Sequence, residues 1–498
     1  MPPYAGLDEG FHVARVSFVA AEGRQPRAGE VTVPDYLGRS MAGTPDAPPG
    51  FGTLTDRWSG ALAARPAGWK DVRIDAAARR RATVVNYEAQ QPSLYYAAAA
   101  AVDRAFGDTQ LHELLALRLL AIPFGVVAAV ATALLGVRLW GRAGFLGGVL
   151  LLTSPTWITL VARAGNDAPA CAALAAAILL SSRPEESAAS RWAEAGAWGA
   201  AVLLKVYAWP AALLLPLLWP PAASRRRRGI VAGAVAAGIL ATAIDLRART
   251  GNPIGSIAFA GPGGVPLALS SLRALAALDW LQFAKVFAGS AIWTSGQHAN
   301  FFRPAGLLLY VAPWLLLVSA GALAARHMPR RPAALLAVAA LVFAGAELAQ
   351  AWGFLREAVL GRAETRSAGL AGWYLHAFDP IWFGAGFGFA AAALVRRRRA
   401  LLAAVAIAGT FLGDVFVTEG ALFRDYAGLS SPLTPGALFR WGGGDPWEAL
   451  VRLGRYGVAL PSPWVDVGLR LLEASALALL VAACGRAAPG PDAAGKTV

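Results

Sequence analysis

Apolar residues along the chain fall into long, nearly unbroken runs, not into the alternating stripes of soluble helices or strands. The runs lie at about Leu114–Leu135, Gly144–Val161, Ala168–Leu180, Trp192–Val206, Trp209–Pro220 and Ile230–Ile244. They resume at about Ala305–Ala324, Pro332–Trp352, Ile381–Val395, Leu401–Val417 and Val467–Ala483. A helix needs roughly 20 apolar residues to cross a hydrocarbon core about 30 Å thick. The pattern therefore predicts an all-α polytopic membrane protein with about eleven transmembrane helices, those near Ala168 and Trp209 being short for a crossing. Residues 1–110 are too polar to span and read as an extramembrane loop, Pro/Gly-rich from Pro34 to Gly52 and basic at Arg79-Arg80-Arg81. A transmembrane helical domain follows over 111–485, interrupted by longer polar segments near 247–303, 353–380 and 418–466, and 486–498 forms a tail.

Composition agrees with this reading. Of 498 residues, 56% are hydrophobic and 15% charged, with mean hydropathy +0.49, against roughly a quarter charged in an average soluble domain. The net charge of +14 comes from arginines in short clusters between apolar runs, a membrane orientation signal and not a groove-following stripe for nucleic acid. Cys171 and Cys484 both fall in apolar runs, so neither a disulfide framework nor a thiolate zinc site is indicated. The heavy use of Ala, Gly and Arg points to a GC-rich, bacterial genome.

Lysines and arginines in short loops set orientation. Alternate loops carry Arg138 with Arg142, Arg183 with Arg191, Arg225 to Arg228, Arg326 with Arg330 and Arg331, and Arg396 to Arg399. These are expected on the cytoplasmic side, and the N-terminal segment with the longer loops on the outer face. An outward N-terminal segment calls for a delivering helix, so a first helix is expected upstream of Met1.

Candidate chemistry sits in polar stretches beside the spans. Asp8-Glu9 is a carboxylate pair with His12 at i+4 from Asp8. It reads either as a base or cation ligand at the membrane boundary or as a solvated start with a capping Asp. Asn86 to Tyr96 holds Glu88, Gln91 before Pro92, and the Tyr95-Tyr96 pair. It is either part of a site or an aromatic belt before the first span. Arg163-Ala-Gly-Asn166-Asp167 is a charged turn between two spans, functional or a snorkelling Arg with a helix cap. Lys205-Val206-Tyr207 offers a phosphate contact or an ordinary anchor. Trp373-Tyr374-Leu375-His376 opens a later span, with His376 either functional or interfacial. Walker, Rossmann, zincin and Gly-x-Ser-x-Gly patterns are missing from the sequence, which leaves ATP-driven transport and zinc proteolysis unsupported.

The order of these pieces resembles the GT-C superfamily of membrane glycosyltransferases, which includes protein O-mannosyltransferases and aminoarabinose transferases. There a first helix delivers a long outer loop opening on an acidic pair, to which Asp8-Glu9 is similar. A second acidic motif with following aromatics is similar to Glu88–Tyr96, although Gln91-Pro92 stands where a His-Pro is expected. The resemblance implies inverting transfer of a sugar from a polyprenyl-phosphate donor to a glycan, lipid or protein acceptor of the cell envelope. It implies an inner (plasma) membrane protein working on the periplasmic or extracellular face, within the lipid bilayer and without nucleic acid. Asp8 would be the catalytic base, with Glu9 and Glu88 beside it, and a divalent Mg or Mn would sit between Asp8 and Glu88. Substrate contacts would come from His12, Gln91, Tyr95, Tyr96, Arg163, Asn166, Asp167, Lys205, Tyr207, Tyr374 and His376. Arg163, Lys205 or the Arg79–Arg81 run would neutralise the leaving phosphate.

A transporter or flippase of a lipid-linked substrate explains the spans equally well. It does not explain two acidic motifs in a long outer segment, and it calls for inverted halves that the sequence lacks. A non-catalytic subunit of an envelope complex is the third class.

Overall fold

The computed structural model describes residues 9–42, 69–254, 304–359, 372–396 and 401–413, with 471, 472, 475 and 477. Asp8, the tail at 486–498, the segment 418–466 and most of the last predicted span lie outside the described residues.

The N-terminal segment, read from sequence as a loop, is folded where it is described. Helix α1 (Glu9–Glu22) leads to strand β1 (Val31–Pro34), α2 (Asp35–Ala42), the short α3 (Ala76–Arg80), β2 (Ala82–Val85) and α4 (Leu94–Phe106). The two strands pair antiparallel, Val31 opposite Val85 and Pro34 opposite Ala82. This small sheet corrects the all-α expectation: Val31-Thr-Val and Thr83-Val-Val are β-branched runs that fit a pleated, half-buried surface, and Pro34 ends its strand, where a missing N–H costs nothing. Phe11, Val13, Val16, Leu37, Trp69 and Tyr96 close this unit's core onto Leu114 and Leu117 of the first long helix. Arg79 is buried there. It meets the Asp103 carboxylate, donates to the Gly107 carbonyl at 2.9 Å and reaches Glu113 at 3.2 Å. The Arg79–Arg81 run, expected to face a phosphate, thus spends its first member fastening α3 to α4, and Arg80 pairs with Glu22 at the surface.

Helix α5 (Gln110–Trp140) is 31 residues long, about 46 Å at 1.5 Å per residue. Leu114, Leu117, Ala121, Ala128 and Leu135 face inward, whereas Leu119, Ile122, Val126 and Val130 are exposed. A helix apolar on both faces belongs in lipid. At its far end a Cβ on Gly136 would stand 2.1 Å from the Gly144 carbonyl oxygen, and one on Gly144 2.0 Å from that of Gly136. Only glycine permits this crossing, the small-residue packing that brings membrane helices into contact.

Helices α6 (Leu146–Leu152) and α7 (Pro155–Ala162) occupy one predicted span, broken by Ser154-Pro155, and the paired segments bend by 67°. Proline disfavours helix at the residue before it and caps a new start well. Then come α8 (Asp167–Ser181), α9 (Ala188–Leu204), the short turns of α10 (Ala208–Ala211) and α11 (Leu215–Leu218), and α12 (Arg225–Thr250). Helix α9 packs between α8 and α12. The later described helices are α13 (Pro304–Ala324), α14 (Arg330–Val359), α15 (Gly388–Arg396) with the π-turn at Pro380–Phe387 before it, and Leu401–Gly413.

Among the described residues, three helices are long and apolar enough to cross a membrane, Gln110–Trp140, Arg225–Thr250 and Arg330–Leu348, and the bent pair makes up to four. Five shorter apolar helices lie where sequence placed further spans.

Among the described residues, basic loops that sequence put on one side lie together, while Arg397–Arg399 fall outside the described residues. Arg138 reaches Leu179 and Ser182, Arg227 the carbonyls of Leu180 and Arg183, and Arg331 that of Leu217. At the other end of α12, Arg249 donates to Gln91 at 2.9 Å. That end carries the polar cluster described next.

Candidate active site

Four stretches far apart in sequence meet beneath the N-terminal unit. Helix α1 supplies His12 and Arg15. The turn that Asn86 starts, its side chain accepting from the Glu88 N–H at 2.9 Å and donating to the Phe11 carbonyl at 2.9 Å, supplies Glu88 and Gln91, and α4 supplies Tyr96. The break between α7 and α8 supplies Arg163 to Asp167, and the end of α9 supplies Lys205 and Tyr207. His12, Glu88, Arg163, Asn166, Asp167 and Lys205 are all buried.

The acidic side is a short chain of hydrogen bonds. His12 Nδ1 lies 2.6 Å from the Tyr96 hydroxyl, which donates to Glu88 Oε2 at 3.2 Å, and Nδ1 itself is 3.4 Å from that oxygen. Burial, with the charge of Glu88 behind it, pushes the Tyr96 phenol well up. Tyr96 therefore keeps its proton and donates it in a hydrogen bond to Glu88. Arg15 stacks its guanidinium 3.7 Å over the Tyr96 ring and donates to the Glu88 carbonyl, and to that of Gln91 at 3.0 Å. Burial lowers Arg15 to about 10, which still leaves it charged. Burial, and then the charges of Lys205 and Arg163, hold the His12 imidazole well below its ordinary value, so it is neutral.

The basic side is built on Asp167, at the first position of α8, where a carboxylate suits the helix dipole. Arg163 bonds Asp167 Oδ2, and Lys205 Nζ stands 2.9 Å from Oδ1. Lys205 also donates to Asn166 Oδ1 at 2.7 Å, and the Asn166 amide donates to the Leu204 carbonyl at 3.1 Å and to Gln91 Oε1 at 3.4 Å. The Tyr207 hydroxyl reaches Asp167 at 3.4 Å. Gln91 thereby joins the acidic motif to the basic turn.

The remaining expected residues fall as follows. Glu9 is fully buried with both oxygens engaged: Arg118 donates to them at 2.8 and 2.7 Å, and the Ala164 N–H donates at 2.9 Å. Its carboxylate anchors α1 to α5 and to the Arg163–Asp167 turn. Tyr95 packs edge-on to Tyr96, its centroid 5.2 Å away. His376 lies 2.8 Å from Asp379 and beside the rings of Trp157 and Phe383. Tyr374 lies in the described turn Gly372–Phe378. Asp8, the expected base, falls outside the described residues.

Of the two expected cation ligands, Asp8 lies outside the described residues and Glu88 is described. Glu88 Oε2 accepts from Tyr96 and faces His12 Nδ1, with Arg15 close by, and among the described residues no three His, Cys, Asp or Glu side chains gather as ligands.

Sequence reasoning missed Arg15, Arg118, Gly165 and Arg249. Arg118 carried a signal, because a cation inside an apolar span is expensive and calls for a buried partner. Arg15 falls at i+3 from His12, one turn along the same face. Gly165 and Arg249 had no local signal.

The family described as predicted membrane protein DUF2142 matches residues 1–260, which include the whole of this network. Among curated proteins none matches. Among solved structures, the chain is similar to that of ArnT from Cupriavidus metallidurans bound to undecaprenyl phosphate, at 15% identity and TM-score 0.38 over 95% of this chain and 76% of that one. The apo state of the same protein gives 16% identity and TM-score 0.36, over 95% of this chain and 72% of that one.

Proposed function

We propose that the chain, which belongs to the DUF2142 family of membrane proteins, is an inverting glycosyltransferase taking a sugar from a polyprenyl-phosphate donor at the outer face of the inner membrane. The observation that carries the reading is the burial of His12, Glu88, Arg163, Asp167 and Lys205, drawn from four separated stretches, in one hydrogen-bonded network. Burying charge costs several kcal/mol per ion unless it is closely compensated. A chain that stabilises its fold by packing has no need of two cations around Asp167. The order of motifs shared with the GT-C superfamily supports the same reading.

The donor arrives activated by its phosphate, so the protein has three tasks. Lys205 and Arg163 hold the phosphate and offset the charge that grows on it as the bond to the sugar breaks. Gln91 and Asn166, held to each other, orient hydroxyls of the sugar. Asp8 or His12, four residues apart in the sequence, accepts the proton of the attacking hydroxyl. Inverting transfer needs one base and no covalent nucleophile. The acceptor is a glycan, lipid or protein of the envelope.

The test uses the full chain in nanodiscs with a polyprenyl-phosphate sugar and envelope extract as acceptor source. Consumption of the lipid-linked sugar with release of polyprenyl phosphate is expected. If instead the sugar stays on its lipid and a labelled lipid changes leaflet in proteoliposomes, the protein is a flippase.

A further inference from the structure

We propose that the transfer point lies at Gly165, between the imidazole of His12 as proton acceptor and the guanidinium of Arg163 as the cation on the departing phosphate. The proposal rests on the glycosyl-transfer reading above. A Cβ built on Gly165 would stand 3.2 Å from Cδ2 and 3.5 Å from Nε2 of His12, and 3.8 Å from Nε of Arg163. One point on the turn is therefore faced by the Nε2 edge of a base and by a cation. A side chain at 165 would press on the His12 ring and touch Arg163, and glycine leaves that space open.

The bond from Tyr96 to Glu88 favours one tautomer of His12. Tyr96 has one proton, and it goes to Glu88. The 2.6 Å contact between the Tyr96 oxygen and His12 Nδ1 is then a bond that Nδ1–H donates. The lone pair of the neutral ring is left on Nε2, the nitrogen toward Gly165. The same logic orients the histidine of a serine hydrolase, where a carboxylate fixes the tautomer and steadies the imidazolium; here Tyr96 stands between the two groups. Lys205, Arg163 and Arg15 are the cations facing His12, and Asp167 and Glu88 the anions. Burial, and then the charges of Lys205, Arg163 and Arg15, hold the ring neutral before the reaction, and Glu88, 3.4 Å from Nδ1, steadies it once charged.

In the step, the acceptor oxygen forms its bond to the anomeric carbon as that carbon's bond to the phosphate oxygen breaks. The electron pair of the broken bond leaves with the phosphate, toward Arg163 and Lys205. The acceptor's proton passes to Nε2 of His12 and then to water. Tyr96 and Glu88 are positioning residues in this scheme, acting only through the imidazole.

The experiment measures turnover of an undecaprenyl-phosphate sugar by the full chain in nanodiscs, with undecaprenyl phosphate binding and thermal melting measured alongside. His12→Gln is expected to lower kcat by about 10²–10⁴-fold, the usual contribution of a general base, with the Kd for undecaprenyl phosphate within about twofold. Gly165→Ala is expected to lower kcat as well, by pushing the imidazole off the point. Tyr96→Phe, which removes one oxygen and no bulk, is expected to lower kcat with KM for the donor unchanged, and it carries the test if Gly165→Ala melts early. Wild-type turnover in His12→Gln, or loss of turnover in Asp8→Asn with His12→Gln still active, overturns the assignment and leaves glycosyl transfer standing. A wild-type chain that binds undecaprenyl phosphate yet consumes no lipid-linked sugar overturns the glycosyl-transfer reading, and the assignment falls with it.

Discussion

Two buried charge clusters lie at opposite ends of the helix bundle, and they are built differently. At the basic-loop end, Arg227 of α12 donates to Glu194 at 2.6 Å, to the carbonyls of Arg183 and Leu180 at 2.8 Å each, and to that of Ser181 at 3.2 Å. The other oxygen of Glu194 accepts from Ser181 and Trp219, both at 2.8 Å, and Trp198 donates to Ser181 at 2.9 Å. One cation meets one anion, and the guanidinium also closes the C-terminal carbonyls of α8, groups that a helix end leaves orphaned. At the other end, among the described residues, Arg163 and Lys205 share Asp167, a neutral imidazole stands alongside, and a glycine keeps the space between them clear of side chains. Burial of charge alone therefore does not mark a site. A closed one-to-one pair with its hydrogen bonds filled ties helices together, whereas a group of cations with a titratable partner and a glycine beside it is arranged to receive something.

The comparison breaks most visibly at Glu194. Removing one member of a buried pair costs about 3–5 kcal/mol, because the remaining charge is left uncompensated. Glu194→Ala is expected to show that loss in unfolding experiments in mixed detergent micelles, with turnover per folded molecule unchanged. Adding Arg227→Met to it should recover most of the stability, since replacing both partners by apolar groups is often neutral or favourable. Lost turnover in the folded fraction of Glu194→Ala would show that this cluster is not purely architectural.

A smaller effect, in a different observable, is expected at Lys205. A hydrogen bond to a charged group is worth about 1.5–3 kcal/mol, so Lys205→Ala should weaken undecaprenyl phosphate binding roughly 10- to 150-fold. Lys205→Arg should restore part of it, since a guanidinium keeps the charge and suits phosphate. Titration of the lipid into nanodiscs checks both. Unaltered binding in Lys205→Ala would move the phosphate away from Asp167.

How far the sequence foretold these arrangements depended on the range of the interactions involved. The apolar runs marked the helices, because a hydrocarbon environment imposes length and hydrophobicity on each span locally. The short-loop arginines foretold which ends lie together, as Arg138, Arg227 and Arg331 show. Lys205 was legible as a cation inside an apolar run, and Glu88, Asn166 and Asp167 as polar motifs beside the spans. The hydrogen bonds among them were not, because the contact of Asn166 with Gln91 spans 75 positions. The folded character of the N-terminal unit was also hidden. Its polar composition mimics a loop, yet Arg79, Asp103, Glu113 and Tyr36 satisfy one another inside. The pairing of Glu9 was hidden for the same reason, since its partner Arg118 lies 109 residues away.

The smallest effect is expected at the exposed arginines beside the closed pair. Arg225 and Arg226 open α12 and are exposed, in contrast to the buried Arg227 next to them. Surface substitutions away from buried partners usually change stability by no more than about 0.5 kcal/mol, and cations at a helix N-terminus oppose its dipole slightly. Arg225→Gln with Arg226→Gln should therefore leave unfolding and turnover near wild type. Their role is in orientation: a single cysteine replacing Arg225 should escape an impermeant thiol reagent in intact cells and react once the membrane is opened. Labelling in intact cells would place this end outside, and the polar cluster at the far end of α12 would then face the cytoplasm, away from any acceptor in the envelope.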